Sequence, residues 1–205
     1  MAIDRAAILD AIGRLAAAMD RDFEALNAAD GALGDGDLGV TMTRGMRMVQ
    51  DGAADLPDDL GQLLLRCAQA FTKTSGSSYG TLMATGLMAM AKDLKGRVVF
   101  EPGEVSRLVG LARDAMMARG KAELGGKTVL DSLHAVVLAT EGLTDPKAVA
   151  DAAASAARDA QVKMRPLPAT IGRARIFAEK SRGMDDPGML AMTAIVAALA
   201  NRSLS

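Results

Sequence analysis

Apolar residues recur at three- and four-residue spacing along most of this chain, the repeat that lines one face of a helix with side chains, and this pattern constrains the fold more than any other feature. Ile8, Ile12, Leu15, Met19, Phe23 and Leu26 predict one long helix from residue 3 to about residue 28. Further helices are predicted over Val40–Val49, from Leu60 to about Phe71, and over Leu82–Leu94. A fifth starts at "EPGE", where Pro102 suits a first turn, and runs to about Arg119; a sixth spans Val129–Leu143. "TDPKAV" places a Thr or Asp cap before Pro146 and opens a seventh, and an eighth begins near "DDPG" and ends near Asn201. No period-2 pattern competes with these assignments, and no composition shift or long linker divides the chain. The expected architecture is all-α: residues 1–205 as a single domain of eight antiparallel helices in an up-and-down barrel.

Composition agrees. Half of the residues are hydrophobic, enough for a substantial core, yet aromatics make up 2% and Trp is absent, so the apolar content comes mostly from Ala, Leu and Met, which favour closely packed helices. The fourteen methionines read as core filler. With 24 basic and 25 acidic residues and no long Lys/Arg run, a nucleic-acid partner is not expected. Charges in "MAIDRAAILD" and the lack of any long uncharged apolar stretch point away from a signal peptide or membrane partner and toward the cytoplasm. Cys67, the sole cysteine, reads as a buried thiol.

The unusual residues collect between the helices: "DGALGDGDLG", "TKTSGSSYGT", "GKAELGGKT" and "GRAR…SRGMDDPG". These are alternate connections of the predicted array, so they fall at one end of it and can meet there. Asp30, Asp35 and Asp37 supply hard oxygen atoms on a segment whose glycines let the backbone turn tightly, a donor set suited to magnesium. The same aspartates are also ordinary turn and N-cap residues. An EF-hand is excluded, because the twelfth residue counted from Asp35 is Met46 rather than Glu. "TSGSSYGT" precedes a helix, where free amides and the positive end of the helix dipole favour an anion such as phosphate, although it lacks a Walker Gly-Lys-Ser/Thr and Ser-rich caps occur without ligands. In "GGKT", Lys127 could meet a phosphate or Thr128 could simply cap the next helix. Arg173 and Lys180 lie in the last connection, and Met42, Met116 and Met117 stand near enough to the loops to line an adenine pocket. His134, the sole histidine, reads as a packed helix residue. Together, a carboxylate trio, a Ser/Gly anion nest and a basic connection are the parts for holding a nucleotide polyphosphate.

Through "LNAADGALGDGDLGVTMTRG", "GSSYGT", "RGKAELGGKTVLDSL" and "GRAR…EKSRGMDDPG", in that order, the chain resembles the nucleotide-binding L subunit of dihydroxyacetone kinase, a family with an eight-helix antiparallel barrel. The resemblance implies that Asp30, Asp35 and Asp37 hold two Mg2+ ions against the phosphates of ADP or ATP. It implies that Leu38, Gly39, Val40 and Thr41, with Ser77 and Ser78, cradle those phosphates. Gly120 and Val129 would line the base and ribose site, Thr128 is retained, and Arg173 with Asp186, Pro187 and Gly188 would close over the nucleotide. The implied activity is phosphorylation of a short-chain ketose held by a separate K-type subunit. The nucleotide is either exchangeable ATP or an ADP recharged by an M-type subunit of a phosphotransferase system. A non-catalytic protein that binds a nucleotide and regulates a partner such as a transcription factor is the alternative. Departures from the family's usual residues occur at Leu38, Thr41, "SGSSYG", "GGKTV" and "IFAEKS".

Overall fold

A computed structural model of the chain describes residues 2–74 and 76–201. Among them are nine α-helices: α1 (Arg5–Arg21), α2 (Phe23–Leu33), α3 (Leu38–Asp51), α4 (Leu60–Thr74), α5 (Ser78–Asp93), α6 (Val105–Gly120), α7 (Val129–Thr140), α8 (Pro146–Met164) and α9 (Pro187–Leu199). Three 3-10 segments, Ala53–Asp55, Pro102–Glu104 and Arg173–Ser181, sit in connections. Ser75 of the Ser/Gly stretch lies outside the described residues.

The caps follow the sequence chemistry. Asp4 accepts from the amide of Ala7 at 2.9 Å at the start of α1, and Asp145 accepts from Ala148 at 2.8 Å with Pro146 in the first turn of α8. The predicted first helix is in fact α1 and α2. The chain bends at Asp22 (φ −93°, ψ 4°), but the bonds Asp22 N to Ala18 O and Leu26 N to Asp22 O, both 2.9 Å, carry the ladder across. It also continues to Leu33, past the predicted end, because Ala and Leu sustain the helix where the glycines suggested a turn. As a second correction, Ile3–Asp4 and Val99–Phe100 form a short antiparallel ladder, β1 with β2, which a two-residue strand is too short to announce by periodicity.

Counting α1 and α2 as one bent rod, eight rods pack in sequence order: α3 on α4, α4 on α5, and so on to α8 on α9. The ring closes where α1 meets both α3 and α9, so the antiparallel barrel is borne out. Its centre is filled by Met19, Met42, Leu60, Leu63, Phe71, Leu108 and Ala191, and α9 is buried along almost its whole length. No helix among the described residues is long and apolar enough to cross a membrane.

Tight rod-to-rod approach rests on small residues. A side chain at Gly61 of α4 would lie 2.6 Å from the carbonyl oxygen of Ala91 and from Cα of Lys95, both backbone atoms that cannot swing away. Gly→Ala in a free helix stabilises by about 1 kcal/mol. Here the sign is expected to reverse, with Gly61→Ala losing roughly 1–3 kcal/mol, to be read from chemical denaturation.

Candidate functional site

The site is built at the junction of α2 and α3. Asn27 and Asp30 lie three residues apart on α2, on the face that meets the start of α3. Asp30 Oδ2 accepts from the amides of Asp37 (2.9 Å) and Leu38 (3.2 Å), and Asn27 Oδ1 accepts from those of Gly39 (2.8 Å) and Val40 (3.3 Å). The first helix therefore caps the next one, while Asp37, in the N-cap position, makes no capping bond of its own. Between them Gly36 takes φ 78°, a left-handed turn, and a side chain at Gly34 would lie 3.0 Å from the carbonyl oxygen of Asp30.

This geometry gathers the predicted carboxylates: one oxygen from each of Asp30, Asp35 and Asp37 lies within 4.8 Å of the others. The cost of gathering them is visible at Asp37, whose pKa is raised by burial first and by the charges of Asp35 and Asp30 next. Across the gap, Arg173 pairs with Asp35 Oδ2. Asp30 is thus a helix residue rather than a loop residue, yet it joins the other two as expected.

A cavity of about 140 Å3 opens beside the trio, bounded also by Leu38, Ser77, Ser78, Thr128, Val129, Arg173, Asp186, Pro187 and Gly188. Ser77 is the buried N-cap of α5, accepting from Gly80 at 3.1 Å, and Ser78 is exposed in its first turn. Thr128 caps α7 in a reciprocal box with Asp131, which accepts from the amides of Thr128 (2.8 Å) and Gly125 (2.6 Å). A larger cavity of about 720 Å3 shares Ser77, Ser78, Thr128, Val129 and Arg173 with the first and adds Gly120 and Met116.

Several expectations need correction. Gly39, Val40 and Thr41 line neither cavity: the first two amides are taken by Asn27 and that of Thr41 by the carbonyl of Asp37. Of the amides predicted to cradle phosphate over Leu38–Thr41, those of Leu38, Gly39 and Val40 are taken by acceptors on α2, and Leu38 is the member of the four that lines the smaller cavity. Lys127 does not face an anion. It is fully buried, and its ammonium donates to the carbonyls of Arg165 (3.0 Å), Leu167 (2.8 Å) and Ser181 (2.7 Å), with burial pushing its pKa down. Met42 is in the core and Met117 packs against it, leaving Met116 alone of the three at the cavity wall. His134 sits away from both cavities, its Nδ1 2.9 Å from Arg113, and burial pushes the Cys67 thiol up to about 11. Lys180 is exposed.

Asn27 and Tyr79 were not anticipated. For Asn27 the signal was "LNAAD", an Asn and an Asp on one helical face just before the glycines. Tyr79 lines the smaller cavity, donating to the carbonyl of Gly188 at 3.4 Å. Burial and then Asp186 hold its phenol far above the ordinary value.

Asp186 is the N-cap of α9, accepting from Met189 at 2.9 Å, and burial raises its pKa from 3.8 to about 7. Between those values the folded chain holds a proton that the unfolded chain has lost, so this group makes stability fall as pH rises from about 4 to about 7. Asp186→Asn retains a good cap and removes the ionisation. Its stability relative to the parent is expected to improve by about 1 kcal/mol or more between pH 5 and pH 8 in thermal melts.

Comparison with known proteins matches residues 32–201 to the DAK2 domain. The chain is similar to the L-erythrulose kinase of Pectobacterium atrosepticum, 33% identical over 182 residues, covering 85% of this chain but 31% of that one. It is similar to the ADP-binding subunit DhaL of the PEP-dependent dihydroxyacetone kinase of Escherichia coli, 29% identical over 194 residues and 92% of each chain. Among solved structures, the dihydroxyacetone kinase of C. freundii in complex with AMP-PNP and Mg2+ superimposes with a TM-score of 0.74 at 25% identity, over 98% of this chain and 34% of that one. The chain thus spans about a third of the length of these two kinases and nearly the whole of the ADP-binding subunit.

Proposed function

Because this chain belongs to the DAK2 domain family, we propose that it is the nucleotide-binding, phosphoryl-transferring subunit of a short-chain ketose kinase, working in the cytoplasm on dihydroxyacetone or a four-carbon analogue held by a separate K-type subunit. The observation that carries the reading is the convergence of Asp30, Asp35 and Asp37 within 4.8 Å beside the N-terminus of α5 and Arg173. The match to an ADP-binding subunit over 92% of each chain supports the nucleotide-binding role.

The carboxylates fit magnesium. They are hard oxygen donors, two of them partly buried, and the position opposite Asp35 is taken by a cation, the guanidinium of Arg173. Asp30, Asp35 and Asp37 would hold two ions, which when bound neutralise charge on the phosphates of ADP or ATP. The chain's own groups supply position. Asp30 does double duty, because its Oδ2 fixes the start of α3 and so aims Asp37. Ser77 and Ser78 present the positive end of α5 to the phosphates, and Arg173 swings between Asp35 and developing phosphate charge. Gly120, Thr128 and Val129 bound the base and ribose, with Asp186–Gly188 behind them. Catalysis of this kind is positioning and charge stabilisation. An M-type phosphotransferase subunit recharging ADP is the further partner this reading allows.

Asp37→Asn keeps the side chain's size and removes its charge without touching a capping bond. The variant is expected to fold, with apo stability unchanged or raised, while Mg2+-dependent ADP affinity in calorimetry falls by about tenfold or more. Unchanged affinity overturns the metal assignment. The parent with Mg2+ and ADP at 100 times the dissociation constant should gain about 2.7 kcal/mol.

Turnover is expected to need the second chain. Purified alone, this chain should not phosphorylate dihydroxyacetone from ATP; phosphorylation by the isolated chain, free of other kinases, overturns the two-chain reading.

A further inference from the structure

Lys127 carries a buried charge for which the proposed function has no use. Its side chain is fully buried, and all three N–H groups of the ammonium are spent on main-chain carbonyls, those of Arg165, Leu167 and Ser181. Taking an ammonium out of water is costly, and an apolar side chain of the same length would fill the space without that cost. What the ammonium adds is a link between its three acceptors.

Those acceptors stand at the two ends of one excursion of the chain. Arg165 and Leu167 lie where it leaves α8, and Ser181 lies where the 173–181 segment ends before α9. Lys127 therefore closes the neck of a loop, residues 168–180, from which Arg173 pairs with Asp35. Two further bonds cross the same neck: the Gly183 amide donates to the carbonyl of Arg165 at 2.9 Å, and the Ala169 amide to Ser181 Oγ at 2.7 Å. Beside Lys127, the carbonyl of Gly126 accepts from the Thr170 amide at 3.2 Å, and a side chain at Gly126 would lie 2.7 Å from Ile171 Cδ1. The approach to Arg173 is thus laid against the foot of α7. Beyond the neck the loop has less to hold it. Ala174 and Phe177 pack with Leu33 of α2, whereas Arg175 and Ile176 are exposed and Ala178 keeps its strained φ of 40°. Strain of that kind persists only while the surroundings enforce it.

Resting on the nucleotide reading above, we infer that Lys127 is a positioning residue for phosphate binding: by closing the neck of the 168–180 loop it holds Arg173 at the carboxylate trio, although it meets no phosphate itself. Without the ammonium the loop opens and the guanidinium is lost to solvent.

The test is a double-mutant cycle on the full chain, read as Mg2+-ADP affinity by calorimetry. Lys127→Met keeps the length of the side chain and removes its three donors. It is expected to weaken binding about tenfold in the parent and to change nothing in an Arg173→Ala background, where no guanidinium is left to misplace. A substitution that merely loosened the fold would weaken binding in both. Hydrogen exchange at the amides of Ala169 and Gly183 should quicken while the amides of α4 keep their protection. Losses that add in the double variant, or parental affinity in Lys127→Met, overturn the inference. If the methionine variant does not fold, Ser181→Ala, which removes the Ala169 bond across the same neck, goes through the same cycle and is read in the same way. If the parent itself fails to bind Mg2+ and ADP, the nucleotide reading falls and the role of Lys127 with it.

Discussion

The capping of α3 by side chains of α2 is the interaction from which the site follows. Four amides at the start of α3 need acceptors, and they find them on Asn27 and Asp30 rather than on the residue that precedes the helix. Two results come from that single arrangement: the bent first rod is locked to the second, and the Asp37 carboxylate is left without a capping bond to make. Gly39 makes the approach possible, since a side chain there would lie 2.8 Å from Asn27 Oδ1. A conventional Asp37 cap would have satisfied the helix and removed a member of the trio.

A buried ammonium plays the matching role at the other wall. Lys127 sits in a left-handed conformation (φ 59°) at the foot of α7 and gathers carbonyls from the end of α8 and from Ser181. Three neutral acceptors compensate the charge without a carboxylate in direct contact. The 173–181 segment is thereby pinned at its far end by Ser181 and at its near end by the pairing of Arg173 with Asp35. Between the pins Ala178 adopts φ 40° and ψ −114°, a conformation that costs an alanine roughly 1–3 kcal/mol. That strain falls in a connection that lines both cavities.

Most of the frame was legible in the sequence, because buried helical faces repeat every three to four residues and that repeat survives any partner choice. The convergence of the four connections at one end followed from the alternation of up and down rods. What escaped was decided by pairings between segments distant in sequence. Nothing local distinguishes a lysine that meets three carbonyls from one that meets a phosphate, so Lys127 was ambiguous until the end of α8 lay over it. The amides of Gly39 and Val40 looked free because their acceptor, Asn27, lies twelve or thirteen residues back on another helix. Asp30 looked like a turn residue because glycine usually ends a helix, yet here Gly31 is carried inside one. The start of α5 at Ser78, four residues before Leu82, was missed because polar first-turn residues carry no apolar period.

The closure of the ring has a further bearing on how such a chain comes to be folded. The rod that completes it, α9, is also among the most deeply buried, and it packs against α1, α2, α7 and α8 at once. A ribosome delivers residues 187–199 after every other rod has emerged, so the earlier helices spend synthesis with their inner faces uncovered. The barrel therefore closes only once α9 itself has been made. A growing chain stalled before α9 is a natural client for chaperones rather than a partly working domain.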